Sequence, residues 1–199
     1  MASPRRIGAP DAKNRTVLLD AAEKLMIEHG YAAVSSRRIA DQAGLKPQLV
    51  HYYFRNMDEL LFEVFRRRAE QGLEYQATAL ASPQPLWALW DFSTNPAGVA
   101  LTMEFIALSR HRPALRTQIA EYSERFRREQ ANAINTILER YGIDHADLPP
   151  VVASVLMTSL SRVITMEHAL GVTGGHAETV SRVEHWFRAL EGPRPTCSG

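Results

Sequence analysis

Apolar residues recur along this chain at helical spacing, and no stretch alternates apolar and polar residues at strand spacing between hairpin turns, so the expected fold class is all-α. Leu18, Ala21, Ala22, Leu25 and Met26 form one stripe of a first helix, with Asp20 and Lys24 paired on the opposite side. Gly30 suits the left-handed position that follows a helix. Ser35 is placed to cap a short second helix over Ser36–Ala43, which Gly44 ends. Leu45 and Lys46 turn the chain, and Pro47 opens a third helix that runs to about Phe54. Asn56 with Glu59 makes a capping box for a longer fourth helix, whose apolar face begins Leu60, Leu61, Val64, Phe65. Beyond Leu80 the proline and glycine breaks leave room for five more helices, at roughly 84–93, 97–112, 113–141, 149–171 and 176–190, about nine in all.

A chain of 199 residues with 45% hydrophobic composition can bury one sizeable core or two small ones that share a helix. Its single cysteine, Cys197, rules out an intrachain disulfide, and a cytoplasmic setting is expected. Residues 1–11 read as a basic flexible arm rather than a secretory signal. The most apolar stretch, Val151–Leu170, carries Arg162, Glu167 and His168, which argues against a place in a membrane. Enzyme chemistry finds little support. The seven histidines lack metal-binding spacing, no phosphate loop or nucleophile elbow occurs, and Glu167 and His168 point about 100° apart on a helix. No catalytic residue, metal or cofactor is therefore expected. Charge is unevenly spread: residues 1–57 hold nine Lys or Arg against five acids, a balance of +4, which leaves −3 for the remainder. A basic head on a mildly acidic body suits a nucleic-acid partner.

The segment 35–54 has the mechanics of a helix-turn-helix, in which a tight turn lets the second of two short helices project into a DNA major groove. Ala40 is small enough for close crossing, Gly44 permits the turn, and Ile39, Ala43, Leu45, Val50 and Phe54 can make the buried wedge. Gln48, His51, Tyr52 and Tyr53 are expected on the outward surface of the second helix, with Arg37 facing the same way from the first. An arginine can donate twice to a guanine edge, so Arg37 is the leading base reader.

Leu18 through Phe65 resembles the DNA-binding domain of the TetR family of transcriptional regulators. The string Ile39-Ala40-Asp41-Gln42-Ala43-Gly44-Leu45, then Tyr52-Tyr53-Phe54 and Leu60-Leu61, follows that family's pattern. The resemblance implies a three-helix head, a helical ligand-binding body and a homodimer that usually represses. It carries DNA-contacting roles onto Ser36, Arg37, Lys46, Pro47, Gln48, His51, Tyr52, Tyr53 and Met57. Three positions depart from the pattern. His51 replaces a common tyrosine, Lys46 a small polar cap, and Met57 a usual lysine, so Met57 can offer a phosphate only its backbone amide.

The expected domains are a DNA-binding head over 12–72, a ligand-binding and dimerisation body over 73–192, and a tail over 193–199. The helix at 149–171 is apolar or small on nearly every face, so it needs two burial partners, its own core and its twin in a dimer, with Ala153, Ser154 and Ser159 permitting close approach. The last helix presents Val180, Val183, Phe187 and Leu190 at coiled-coil-like spacing beside Trp186, so a homodimer through the last two helices is expected. The candidate effector pocket is lined by Trp87, Trp90, Met103, Phe105, Tyr122, Phe126, Met157 and Met166, with Gln130, which interrupts an apolar stripe, as its polar handle. The expected partners are thus operator DNA, a small and lipophilic effector, and a second copy of the chain. The expected function is a repressor released by its effector. The alternatives are an activator or corepressed regulator and, in a different class, a helical interaction protein that has lost DNA binding.

Overall fold

The computed structural model describes residues 13–195. The basic arm at 1–11, Cys197 and the end of the tail lie outside the described residues. Among those residues the fold is all-α, as expected. It comprises α1 (Lys13–His29), a 3₁₀ turn (Tyr31–Ala33), α2 (Ser36–Ala43), α3 (Pro47–Tyr53), α4 (Met57–Leu80), α5 (Pro85–Ser93), α6 (Pro96–Ser109), α7 (Pro113–Arg140), α8 (Pro150–Ala169) and α9 (His176–Glu191). Proline opens α3, α5, α6, α7 and α8. At that position its missing N–H costs nothing and its fixed φ already suits the helix. α6 stops at Ser109, short of the expected 112, because Pro113 disfavours helical backbone before it; Arg110, His111 and Arg112 instead donate to carbonyls three residues back.

The described residues fall into two compact units. The first comprises residues up to Glu70 together with Leu101–Ile119, and the second comprises Gln71–Ala100 and the residues from Ala120 onward. The first unit is therefore not the contiguous 12–72 of the sequence reading, since it also draws in the end of α6 and the start of α7. Its core joins Leu18, Ala22, Leu25 and Met26 of α1 to Ile39 and Ala40 of α2, Val50 and Phe54, and Leu60 and Val64 of α4. Leu101, Phe105, Leu108 and Leu115 complete it. Ion pairs fasten the rim: Arg15 to Glu63 at 2.8 Å, Arg67 to Asp20 and Glu23 at 2.6 and 3.1 Å, and Arg112 to Asp58 at 2.6 Å. Burial alone would raise the Glu63 carboxyl, but hydrogen bonds and charge from Arg66 and Arg15 hold it below the ordinary carboxylate value. Glu104 of α6 accepts from the Tyr31 amide at 2.6 Å, so the turn that follows α1 is held within this unit.

The second unit packs Leu86, Trp87 and Trp90 of α5 against Ile137 of α7 and Val183 and Phe187 of α9. Phe187 meets both tryptophans edge-on, at ring separations of 5.5 and 6.2 Å. Val183 and Phe187 are buried on their own unit's tryptophans, Val180 and Leu190 are partly buried beside them, and Trp186 faces outward at 55% exposure. Ser154 is withdrawn from any outer face: it is buried and donates to Gln130 of α7.

Glu191, at the end of α9, ties this unit together. Its carboxylate accepts from the Leu86 and Trp87 amides at 2.9 and 3.2 Å, capping α5 from a distant part of the chain, and from the Tyr141 hydroxyl at 2.7 Å. Burial, together with the hydrogen bond to and negative charge of the Glu191 carboxylate, pushes Tyr141 up to about 12. Tyr141 therefore contributes stability that is present below the unfolded value of 10.0 and is lost as pH rises through about 12. Glu191→Ala should cost about 1–3 kcal/mol in urea unfolding at neutral pH. Tyr141→Phe should abolish the alkaline part of the stability decline; an unchanged urea midpoint for the first or an unchanged alkaline profile for the second would break this assignment.

Candidate nucleic-acid interface

α2 and α3 take their relative geometry from three local features. Ser35 Oγ accepts from the Arg38 amide at 3.3 Å and starts α2. Gly44 ends it in left-handed backbone at φ 64° and ψ 29°. Its amide returns to the last turn, and the Leu45 amide donates to the Ala40 carbonyl at 2.9 Å, the wider loop of a Schellman closure. Nothing lies within 4 Å of the place a Gly44 side chain would take, so the demand there is conformational and not spatial. Ala40 and Ile39 are fully buried. Lys46, at the N-cap of α3, makes no side-chain cap bond, as its departure from a small polar residue implies.

Arg37, Lys46, Pro47, Gln48, His51 and Tyr52 are all exposed, and Ser36 is partly so. Tyr53 is a correction. It lies three residues after the buried Val50, hence on the same helical face, and the residue is 9% exposed and belongs to the core cluster. Its neighbour Tyr52, at 53% exposure, stands edge-on to it with ring centres 5.0 Å apart. Met57 is partly buried and packs on the core. Asn56 caps α4 by accepting from the Glu59 amide at 2.8 Å, and Glu59 reaches back to the Arg55 amide at 2.7 Å, one residue beyond the usual reciprocal partner.

The cations of this unit differ in their pairing, and Lys13, Arg68, Arg110 and Arg116, outside the helix-turn-helix, have no ion pair among the described residues. Arg15, Arg66, Arg67 and Arg112 are held by carboxylates. Arg37, Arg38, Lys46 and Arg55, all exposed and all within the helix-turn-helix or at its end, form no ion pair within the described residues. Arg38 and Arg55 were not singled out from sequence; only their position beside the motif could have marked them. Four unneutralised cations around Gln48, His51 and Tyr52 form a surface suited to a phosphate backbone with base edges between its strands.

The candidate effector residues separate. Phe105 is buried in the first unit's core, edge-on to Phe65 at 5.3 Å, and Met103 is an exposed residue of that same unit. Met166 is exposed on α8. Trp87, Trp90, Tyr122, Phe126, Gln130 and Met157 belong to the second unit. Trp87 and Trp90 serve its core, while Phe126 stacks on Phe92 at 6.1 Å. Gln130 is fully buried. Sequence reading missed Gln76, which is 1% exposed and donates to the Phe126 carbonyl at 3.2 Å. The signal was present, since Gln76 falls between Leu73 and Ala79 in an apolar stripe, as Gln130 does in its own. No group of three or more potential metal ligands stands together among the described residues, and no helix there is long and apolar enough to cross a membrane.

Residues 18–64 match the family model for bacterial regulatory proteins of the tetR family. A fatty acid metabolism regulator protein of Bacillus subtilis (strain 168) is 32% identical over 57 residues, a stretch that spans 29% of this chain and 29% of that relative. Among solved structures, a TetR transcription regulator from Haloarcula marismortui superposes with a TM-score of 0.69 at 19% identity, covering 89% of this chain and 97% of its own. The fatty acid degradation regulator of Bacillus halodurans does so with a TM-score of 0.67 at 18% identity, covering 94% and 99%. At these identities the structural likeness establishes a common fold.

Arg37→Ala should cost about 1–3 kcal/mol of DNA binding and relax selection at one base position per half-site. Binding-site selection on both proteins checks this; a uniform loss across all sequences would assign Arg37 to phosphate instead.

Proposed function

We propose, from the match of residues 18–64 to the family model for bacterial regulatory proteins of the tetR family, that this chain is a sequence-specific transcriptional regulator. In this reading it binds operator DNA as a homodimer and represses until a small lipophilic effector occupies the second unit. The observation that carries the proposal is the unpaired cationic surface of Arg37, Arg38, Lys46 and Arg55 around the outward side of α3. Phosphates fix the register, and Arg37 and Gln48 supply the donors that distinguish bases.

The apolar surface of α8 supports a second copy. Its fully buried residues are Ser154 and Ser161, whereas Val151, Val152, Val155, Leu156, Val163 and Met166 are exposed. These six recur at helical spacing as one stripe, and a stripe of that extent marks a surface that associates. Self-pairing about a two-fold axis is the commonest closed solution and gives two recognition helices per assembly. Release then follows from population shift: an effector that prefers a conformation with wrongly spaced recognition helices lowers the DNA-competent fraction by its differential affinity. Similarity to regulators of fatty acid metabolism and degradation supports the lipophilic class of effector.

Two measurements on the purified chain test this reading. Operator affinity should fall on the order of a thousandfold between 50 and 200 mM salt, as expected when several cations of a dimer displace counterions. Val155→Arg or Val163→Arg, at positions 41% and 45% exposed, should leave the protomer's helicity intact, yield a monomer in sedimentation and weaken operator binding. A wild type that is monomeric at micromolar concentration, or DNA binding insensitive to salt, would contradict the proposal.

A further inference from the structure

Four buried polar atoms of the second unit have no partner among the described residues: Ser82 Oγ and, on or against one turn of α7, one atom each of Gln76, Arg127 and Gln130. Gln130 is fully buried; its Oε1 accepts from Ser154 Oγ of α8, and its Nε2 has no partner. Gln76, on α4, donates its Nε2 to the Phe126 carbonyl. A carbonyl only accepts, so the orientation of that amide is determined, and Gln76 Oε1 is the atom left unmatched. Arg127 Nη1 is shielded from water and has no acceptor. Arg127 and Gln130 lie three residues apart and share a face of α7, while the Phe126 carbonyl to which Gln76 is tied lies one turn before Gln130. Natural interiors leave few such atoms, and each one calls for an explanation.

Desolvation and then the charge of Arg127 lower the Arg162 guanidinium of α8 from its usual range, so the two cations lie within coulombic reach of each other. Neither forms an ion pair within the described residues. Two guanidiniums within coulombic reach repel, though Arg162 is exposed to solvent, and an anion beside Arg127 reduces that repulsion. Beside the turn, the stacked rings of Phe92 and Phe126 form an apolar wall, and Met157 of α8 packs on the same core cluster as Phe92.

We propose that this turn of α7 is the head-group subsite of the effector and that it takes a carboxylate carried on an apolar tail. Gln130 Nε2 and Arg127 Nη1 donate to the carboxylate oxygens, Phe92 and Phe126 flank the start of the tail, and Gln76 Oε1 accepts from a water that accompanies the head group. A single guanidinium N–H and a single amide suit one planar carboxylate better than a phosphate dianion, which asks for more donors. The inference rests on the proposal that the chain is an effector-controlled regulator, and it narrows a lipophilic effector to an anionic, amphipathic one.

Calorimetric titration of the full chain with straight-chain saturated carboxylates, the matching alcohols and the matching amines tests the subsite. At least one carboxylate should bind about tenfold or more tightly than its alcohol, the difference expected of a charge-assisted hydrogen bond, and the amines should bind more weakly than either. Arg127→Gln should erase the preference for acid over alcohol while leaving alcohol affinity unchanged. Gln130→Glu, which keeps an acceptor for the Ser154 hydroxyl and replaces the unpartnered donor by a second acceptor, should weaken carboxylate binding. Equal affinity for acid and alcohol, no binding across the whole series, or a preference that survives Arg127→Gln would overturn the subsite. The same preparations are assayed for operator binding without ligand. Retained DNA binding alongside any of those failures overturns the subsite alone, whereas a wild type that binds no DNA speaks against the regulator itself.

Discussion

α2 has eight residues and α3 seven, far below the length at which a helix holds itself together in water. Everything on their outer surface therefore depends on what their inner surface buries. α1 provides the wall, with Leu18, Ala22, Leu25 and Met26 at 3% exposure or less, and Ile39, Val50 and Phe54 are sealed against the same core. Burying each of those three is worth about 1.5–3 kcal/mol, which together offsets the cost of ordering two helices that would otherwise melt. Ala40 is the tightest point: a larger side chain at a fully buried crossing would push the helices apart and re-aim every exposed residue of α3.

The same economy governs charge. Arg15, Arg66, Arg67 and Arg112 of the first unit are paired with carboxylates, so they stabilise its rim. The cations on the helix-turn-helix are left unmatched, at some cost in mutual repulsion, and that cost is recovered only when an anionic surface approaches. The second unit shows an analogous arrangement in its interior, where Gln76, Arg127 and Gln130 keep bonding capacity unused. In both places unsatisfied polar chemistry stands beside a well-packed core, as expected where stability is given up for binding.

The helix order is legible in the sequence because its punctuation is chemical: Ser35 caps, Gly44 accepts left-handed backbone, and prolines open five helices. The exposed surface of α3 is legible for the same reason, since the helix is bounded by Pro47 and Phe54 and its outward residues follow by angle. Tyr53 was misplaced where that angle was not carried through, for it stands three residues from Val50 and inherits the same buried face. Other features leave no local trace. Leu101, Phe105 and Leu108 make a sound apolar stripe for any core, and nothing in their spacing says that they join the first unit's. The stripe of α9 reads equally well as a coiled-coil seam or as a cover for Trp87 and Trp90. Arg127 reads as one more solvated charge until Arg162 and Gln130 are found beside it, whereas Gln130 announced itself by interrupting an apolar stripe.

The claim on which the functional reading turns is that two copies of this chain read a defined DNA sequence through Arg37 and α3. Incubating the purified full chain with fragmented genomic DNA, recovering the bound fraction at physiological salt and sequencing it addresses that claim most directly. Enrichment of an inverted repeat is expected, its half-site centres about one helical turn or more apart, roughly 34–36 Å for a single turn. Recovery of DNA without any shared sequence, or of a single asymmetric site bound at full affinity, would contradict it.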